Sequence, residues 1–197
     1  MAAIVAGGAG GAFLWRSRTD VTPLATGTLL EPRRELEDFS LIDEHGLPFT
    51  RRALTGHWSM LYFGYTNCPD LCPATLGTLA IMAKGLRQAG DRVRPRVVFV
   101  SVDVQRDTPA QLARYVPYFD PEFIGVTAPN QPEIEKVARQ LGVAVVIRPE
   151  AGGAYSVDHS GAIFVVDPGG RLAAILTGPF SAPALESDFR RIAGGSA

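Results

Sequence analysis

The stretch from Tyr62 to Pro73, Y-F-G-Y-T-N-C-P-D-L-C-P, constrains this chain more than any other. It holds both cysteines of the protein, Cys68 and Cys72, with three residues between them. Upstream runs Trp58-Ser59-Met60-Leu61-Tyr62-Phe63, short, apolar and aromatic, which predicts a buried central strand. Downstream, Leu76, Leu79, Ala80, Ala83 and Leu86 recur at helical spacing, and Gly90 offers a C-terminal stop. The cysteines therefore sit where a strand turns into a helix. A regular helix begun at Pro69 would carry Pro73 inside it, at the cost of a hydrogen bond and a clash. The pattern predicts instead Pro73 at the first helical position, Cys72 at the N-cap and Cys68 on the irregular turn leading in.

That placement has chemical consequences. The helix dipole and the free N–H groups of a first turn favour a thiolate over a thiol. Two soft thiolates on one tight turn suit Cu(I) or a reversible Cys68–Cys72 disulfide. A free cysteine is often only a small core hydrophobe. Two that are the only ones in the chain, flanked by prolines at a strand–helix junction, are better explained by chemistry.

The rest of the chain frames this junction. With 197 residues there is room for one domain with a substantial core and an N-terminal extension. A formal net charge of −1 gives no basic surface for nucleic acid. Met1 to Trp15 carry no charge, and Arg16 and Arg18 follow at once. The run falls short of the roughly 20 apolar residues of a spanning helix, and no basic residues precede it as they would in a signal peptide. Residues 1–18 are expected to be a membrane anchor or its remnant, with the domain exported. The two arginines pull the other way under the positive-inside tendency. Residues 19–37 mix Pro, Thr, Gly and charge without periodicity and read as a linker, and 38–197 as the domain.

Along that domain, Phe39 to Asp43 and Pro48 to Thr50 flank His45-Gly46 as a hairpin. Arg96 to Val102 reads as a second buried strand. Thr108-Pro109-Ala110-Gln111 is a capping pattern opening a helix to about Phe119. Phe123 to Val126 is a short strand, and Asn130 to Leu141 a helix stopped by Gly142. Val143 to Ile147 and Ala154 to Val157 form a hairpin. A second hairpin joins Ala162–Val166 to Leu172–Leu176, and a closing helix runs from Ser181 to Ile192. Strands alternating with helices, then a hairpin and a last helix, predict an α/β fold: a thioredoxin-like sandwich with a central mixed sheet, flanking helices and an N-terminal hairpin extension.

Ligands in such folds gather outside the carboxyl ends of the parallel strands. The cysteine turn follows one such end and Asp103 another. His159 comes just before the strand Ala162–Val166. If that strand is antiparallel, His159 faces the cysteines across a gap that a metal fits. Asp158 and Asp103 are candidate outer-shell partners for the imidazole. His45 and His57, each beside a glycine, are assigned no role.

The segment Tyr62–Pro73 with its C-P-D-L-C-P, then Ser101-Val102-Asp103 with Arg106-Asp107-Thr108-Pro109, then Val157-Asp158-His159-Ser160, together resemble the Sco/SenC family. The resemblance runs from Phe39 to about Ile192. It implies a thioredoxin-like fold and copper, as Cu(I) or Cu(II), held by Cys68, Cys72 and His159. It also implies a part in assembling the binuclear copper centre of cytochrome c oxidase, either as metallochaperone or as thiol–disulfide reductant of that centre's cysteines. The expected partners are oxidase subunit II or another copper chaperone, with the membrane through the N-terminal segment. The expected place is the bacterial periplasm or, alternatively, the mitochondrial inner membrane facing the intermembrane space. Val104-Gln105 stands where many relatives read Pro-Glu after the aspartate.

Competing chemistries fit less well. Thiol–disulfide oxidoreductases more often carry C-x-x-C and have no need of His159. The peroxiredoxin pattern P-x-x-x-T-x-x-C wants Pro and Thr where this chain has Leu61 and Tyr65. Structural zinc sites usually have four protein ligands, and three are visible.

Overall fold

A computed structural model describes residues 24–149 and 155–194, save for the side chains of Ser156, Asp158 and His159. The chain expected to anchor it, residues 1–18, lies outside the described residues. Among the described residues, no helix is long and apolar enough to cross a membrane.

The chain begins with β1 (Gly27–Glu35), then the hairpin β2 (Ser40–Asp43) and β3 (Pro48–Thr50). The fully buried β4 (Ser59–Gly64) leads into α1 (Leu71–Gln88). β5 (Arg96–Ser101), α2 (Pro109–Tyr115), β6 (Ile124–Thr127) and α3 (Gln131–Leu141) follow. The ribbon β7 (Val145–Pro149) and β8 (Tyr155–His159) precedes β9 (Ile163–Val166), β10 (Arg171–Leu176) and α4 (Ala182–Gly194).

Eight of the described strands form one sheet in the order β1-β10-β9-β4-β5-β6-β2-β3. β4, β5 and β6 run parallel, while β9 is antiparallel to β4, as the placement of His159 requires. β4 thus lies inside the sheet with helices over it, which is why its six residues carry no polar alternation. α1 and α4 pack on each other, and Phe189 of α4 meets Trp58 edge to face at 6.1 Å.

The caps are largely those the sequence announces. The Thr108 side chain accepts from the Gln111 N–H at 3.2 Å, with Pro109 opening α2. Asn130 caps α3 by accepting from the Glu133 N–H at 3.1 Å, and Gly142 ends it with φ 74°. α2 stops at Tyr115 and tightens into a 3-10 turn over Val116–Tyr118, so the helix is shorter than expected. Pro117, with no N–H to donate, accounts for that.

The stretch expected to be a linker contains β1, which pairs antiparallel with β10 at the sheet's edge. Its register shifts between Leu29 and Arg34, around Pro32, and an edge strand with a bulge is where a sheet tolerates proline. The pairings Gly27 with Leu176, Leu176 with Ile163 and Ile163 with Tyr62 set the start of β1 at the same end of the sheet as the finish of β4.

Asp167, in the β9–β10 turn, ties β1 down. It accepts from the Gly169 and Arg171 N–H groups, each at 2.9 Å, from Arg171 Nη2 at 2.7 Å and from Arg33 Nη1 at 2.9 Å. Burial pushes its carboxyl up, but the bonds from Arg171 and Arg33 outweigh burial and hold it below the usual range. A depressed carboxyl stabilises the fold above its unfolded value of 3.8 and loses that contribution as pH falls through the folded value. Asp167→Asn is therefore expected to be less stable than the parent at neutral pH, with the gap narrowing in acid. Urea midpoints measured from neutral pH down to pH about 3 check this; a gap independent of pH would refute it.

Candidate metal centre

The site is built from the end of β4 outward. A Cβ added at Gly64 would lie 2.6 Å from a ring carbon of Phe99 and 2.9 Å from the Cys72 sulfur. Glycine is what lets the Cys72 thiol lie against the strand end. From there Tyr65 to Asp70 form the turn, in which the Cys68 N–H donates to the Tyr65 carbonyl at 3.2 Å.

The helix starts two residues earlier than expected. Asp70 is the N-cap, Cys72 is the second helical residue and Pro73 the third. Proline is harmless there, since the first four N–H groups of a helix have no intrahelical partner. The Asp70 side chain makes no capping bond. The Cys72 N–H instead donates to the Cys68 sulfur at 3.4 Å. The turn thus brings the two cysteines together and points helix N–H groups at one of them.

The two thiols are consequently unlike. Desolvation works against ionising Cys68, but the backbone N–H groups of Asp70, Cys72 and Leu71 prevail and hold its thiol below the usual value. Cys72 is fully buried, and burial pushes its thiol up to about 12, with the neighbouring Cys68 adding to the rise. The expected benefit of the helix terminus falls on Cys68 alone. Alkylation near neutral pH should label Cys68 at least about a hundredfold faster than Cys72, since the thiolate is the nucleophile. Peptide mapping after limited iodoacetamide treatment measures it, and equal labelling would refute the asymmetry.

The loop after β5 braces this turn. The buried Asp107 carboxylate accepts from the Thr66 N–H at 2.9 Å, the Thr66 hydroxyl at 2.6 Å and the Ser101 hydroxyl at 2.5 Å. Burial raises its pKa, against the pull of those three donors. Asp103, also buried, accepts from the Tyr155 hydroxyl at 2.7 Å and from Arg106 Nε. Its carboxylate thus grips the strand that carries His159.

The backbone of β8 pairs with β7, His159 opposite Val145 and Asp158 opposite Val146. The side chains of Asp158 and His159 lie outside those described. The chain on either side of His159 meets the cysteine elements. Two residues before it, the Val157 backbone is hydrogen-bonded to the Tyr65 hydroxyl. Just after it, Ser160 to Ala162 face Leu71 and Thr75 across a cavity of about 510 Å³. Among the described residues, no three His, Cys, Asp or Glu side chains are grouped to hold a metal ion. His45 is exposed beside Glu44, and His57 precedes β4 at the far end of the sheet.

Thr66, Arg106, Asp107 and Tyr155 were given no role from the sequence. The signal was present: two aspartates and an arginine crowded into the loop after a buried strand, at the end where ligands gather.

The SCO1/SenC family model matches residues 28–194. A protein from Stutzerimonas stutzeri is 36% identical over 159 residues, 80% of this chain and 77% of that one. The chain spans about half the length of vertebrate mitochondrial relatives it matches. The crystal structure of Arabidopsis thaliana ScoI, solved with copper bound, is 33% identical, with a TM-score of 0.76 over 81% of this chain and 98% of that one. BsSco, described as a cytochrome c oxidase assembly protein with a disulfide switch, is 25% identical, with a TM-score of 0.66 over 85% of this chain and 96% of that one. A thioredoxin-like core, a cysteine turn on its central strand and a match spanning nearly the whole described domain lead to one conclusion: the chain belongs to the SCO1/SenC family.

Proposed function

We propose that this protein binds copper through Cys68, Cys72 and His159 and passes it on in assembling the binuclear copper centre of cytochrome c oxidase. The observation that carries the reading is the cysteine turn: two thiols in contact at a helix start, one activated by backbone N–H groups and one buried against the sheet. Soft thiolates suit Cu(I), and an imidazole lets the same set accept Cu(II). Cys72 must lose its proton to become a ligand, so copper uptake strengthens as pH rises. The recipient is subunit II of the oxidase or another copper chaperone. The domain works anchored by residues 1–18, in the bacterial periplasm or the mitochondrial intermembrane space.

The unlike thiols also favour a second reading, a reductase for the cysteines of the oxidase. The Cys68 thiolate attacks a recipient disulfide, forming a mixed disulfide and releasing one recipient thiolate. Cys72, once deprotonated, attacks the Cys68 sulfur and releases the second, leaving a Cys68–Cys72 disulfide and a recipient reduced by two electrons.

Copper analysis of protein purified under reducing conditions, with and without added copper, tests the first reading. We expect one copper per chain in the parent and none in Cys68→Ser or Cys72→Ser. Equal copper in all three would end it.

A further inference from the structure

We infer that Arg106 and Tyr155 are positioning residues of this centre: with Asp103 they clamp the β7–β8 hairpin to the cysteine turn and so fix where His159 is held. The inference rests on the copper reading above.

Among the described residues, β8 pairs with β7 alone, and the two form a sheet separate from the eight-stranded one. A two-stranded ribbon is marginal by itself, so side chains must seat it. The Arg106 guanidinium fills the gap. Its Nε donates to Asp103, its Nη1 donates to the Tyr155 carbonyl at 3.1 Å, and its central carbon lies 3.8 Å from the centre of the Tyr155 ring. The same carbon is 5.7 Å from the ring centre of Tyr65, on the cysteine turn. Tyr155 closes the circuit by donating its hydroxyl proton to Asp103.

Asp103 is a firm base for such a clamp. Its side chain is 2% exposed and its N–H donates to the Ser101 hydroxyl at 3.1 Å, at the end of β5. Charge-assisted bonds to a buried carboxylate are strong even where the guanidinium is partly exposed, and a planar fork stacked on a ring is not replaced by lysine. The grip falls on Tyr155 by its carbonyl, ring and hydroxyl, and on Val157 through Tyr65. His159 is the next residue at the two-residue period of the strand. A stiff strand held at 155 and 157 leaves little freedom at 159.

The test uses Arg106→Lys, Arg106→Gln and Tyr155→Phe in the full chain, beside His159→Ala. In the metal-free protein, amide hydrogen exchange of residues 155–159 should quicken by about tenfold or more in the Arg106 variants. Tyr155→Phe, which keeps the ring under Arg106 and loses only the bond to Asp103, should fall between these and the parent. Cu(II) affinity should drop by about 10–100-fold, the range for outer-shell changes, with a shifted thiolate-to-copper absorption band. The alkylation rate of Cys68 should stay at the parent value, since the turn is braced separately by Asp107. Unchanged exchange at 155–159 overturns the clamp. Parental copper affinity and absorption in the Arg106 variants, with copper lost in His159→Ala, overturn the inference and leave the copper reading standing. Parental affinity in His159→Ala overturns both.

Discussion

Replacing His159 by alanine is expected to weaken Cu(II) binding by more than the roughly hundredfold upper range for an outer-shell change, because a ligand itself is lost. Cu(II) should suffer more than Cu(I), since imidazole is the harder donor and thiolates alone tend to reduce the oxidised ion. Disulfide formation between Cys68 and Cys72 should proceed at the parental rate, as the bond needs no histidine. The variant therefore separates the two chemistries of one turn. The measurement pairs copper titration and thiol exchange of the pure variant with oxidase copper-centre assembly in cells carrying it. Failed assembly with intact thiol exchange supports the chaperone. Normal assembly with copper binding lost would defeat it and promote the reductase.

Asp107→Ala is expected to cost about 3 kcal/mol of stability, because three donors lose the one carboxylate they share. The Thr66 N–H and hydroxyl and the Ser101 hydroxyl all point at that one carboxylate. The pH dependence gives the loss a signature. Burial raises the folded pKa of Asp107 above its unfolded value of 3.8, so the folded state holds the proton more tightly. The parent gains stability from this group as pH falls through that window. The gap to Asp107→Ala should thus widen in acid, the reverse of Asp167→Asn. Urea unfolding across the acid range checks both. A loss under about 1 kcal/mol at neutral pH would show that the brace is not buried as described.

What could be read from the sequence was what neighbours in the chain decide. The strand before Cys68, the helix after Cys72, the Thr108 cap, the Gly142 stop and the Ala162–Val166 strand all rest on local periodicity or turn chemistry, while the antiparallel direction of that last strand followed only from the fold expected. β1 escaped because Glu31, Pro32, Arg33 and Arg34 look like a linker, and a bulged edge strand needs no alternation. The helix start was misplaced because proline is as harmless at the third helical residue as at the first. The braces were invisible for another reason. Thr66 meets Asp107 across 41 residues and Asp103 meets Tyr155 across 52, so no window of sequence holds both partners. The resemblance marked the loop as important, but the contacts it makes come only with the fold.

An anchor on residues 1–18, as proposed above, would let the shared end of β1 and β4 set how far the thiols can travel. Three strand steps of about 4.8 Å, roughly 14 Å in all, separate the start of β1 from the finish of β4. A leash attached to that start keeps the reactive end of the domain, rather than its back, near whatever holds the leash. If residues 1–18 are fixed in a bilayer in this way, the five residues from Thr19 to Pro23 allow a reach of at most about 18 Å. Encounter with an acceptor in the same membrane then becomes a search within a small shell, at an effective concentration reaching the millimolar range for so short a tether. On that geometry, lengthening the leash should slow delivery while leaving the affinity of the isolated domain untouched.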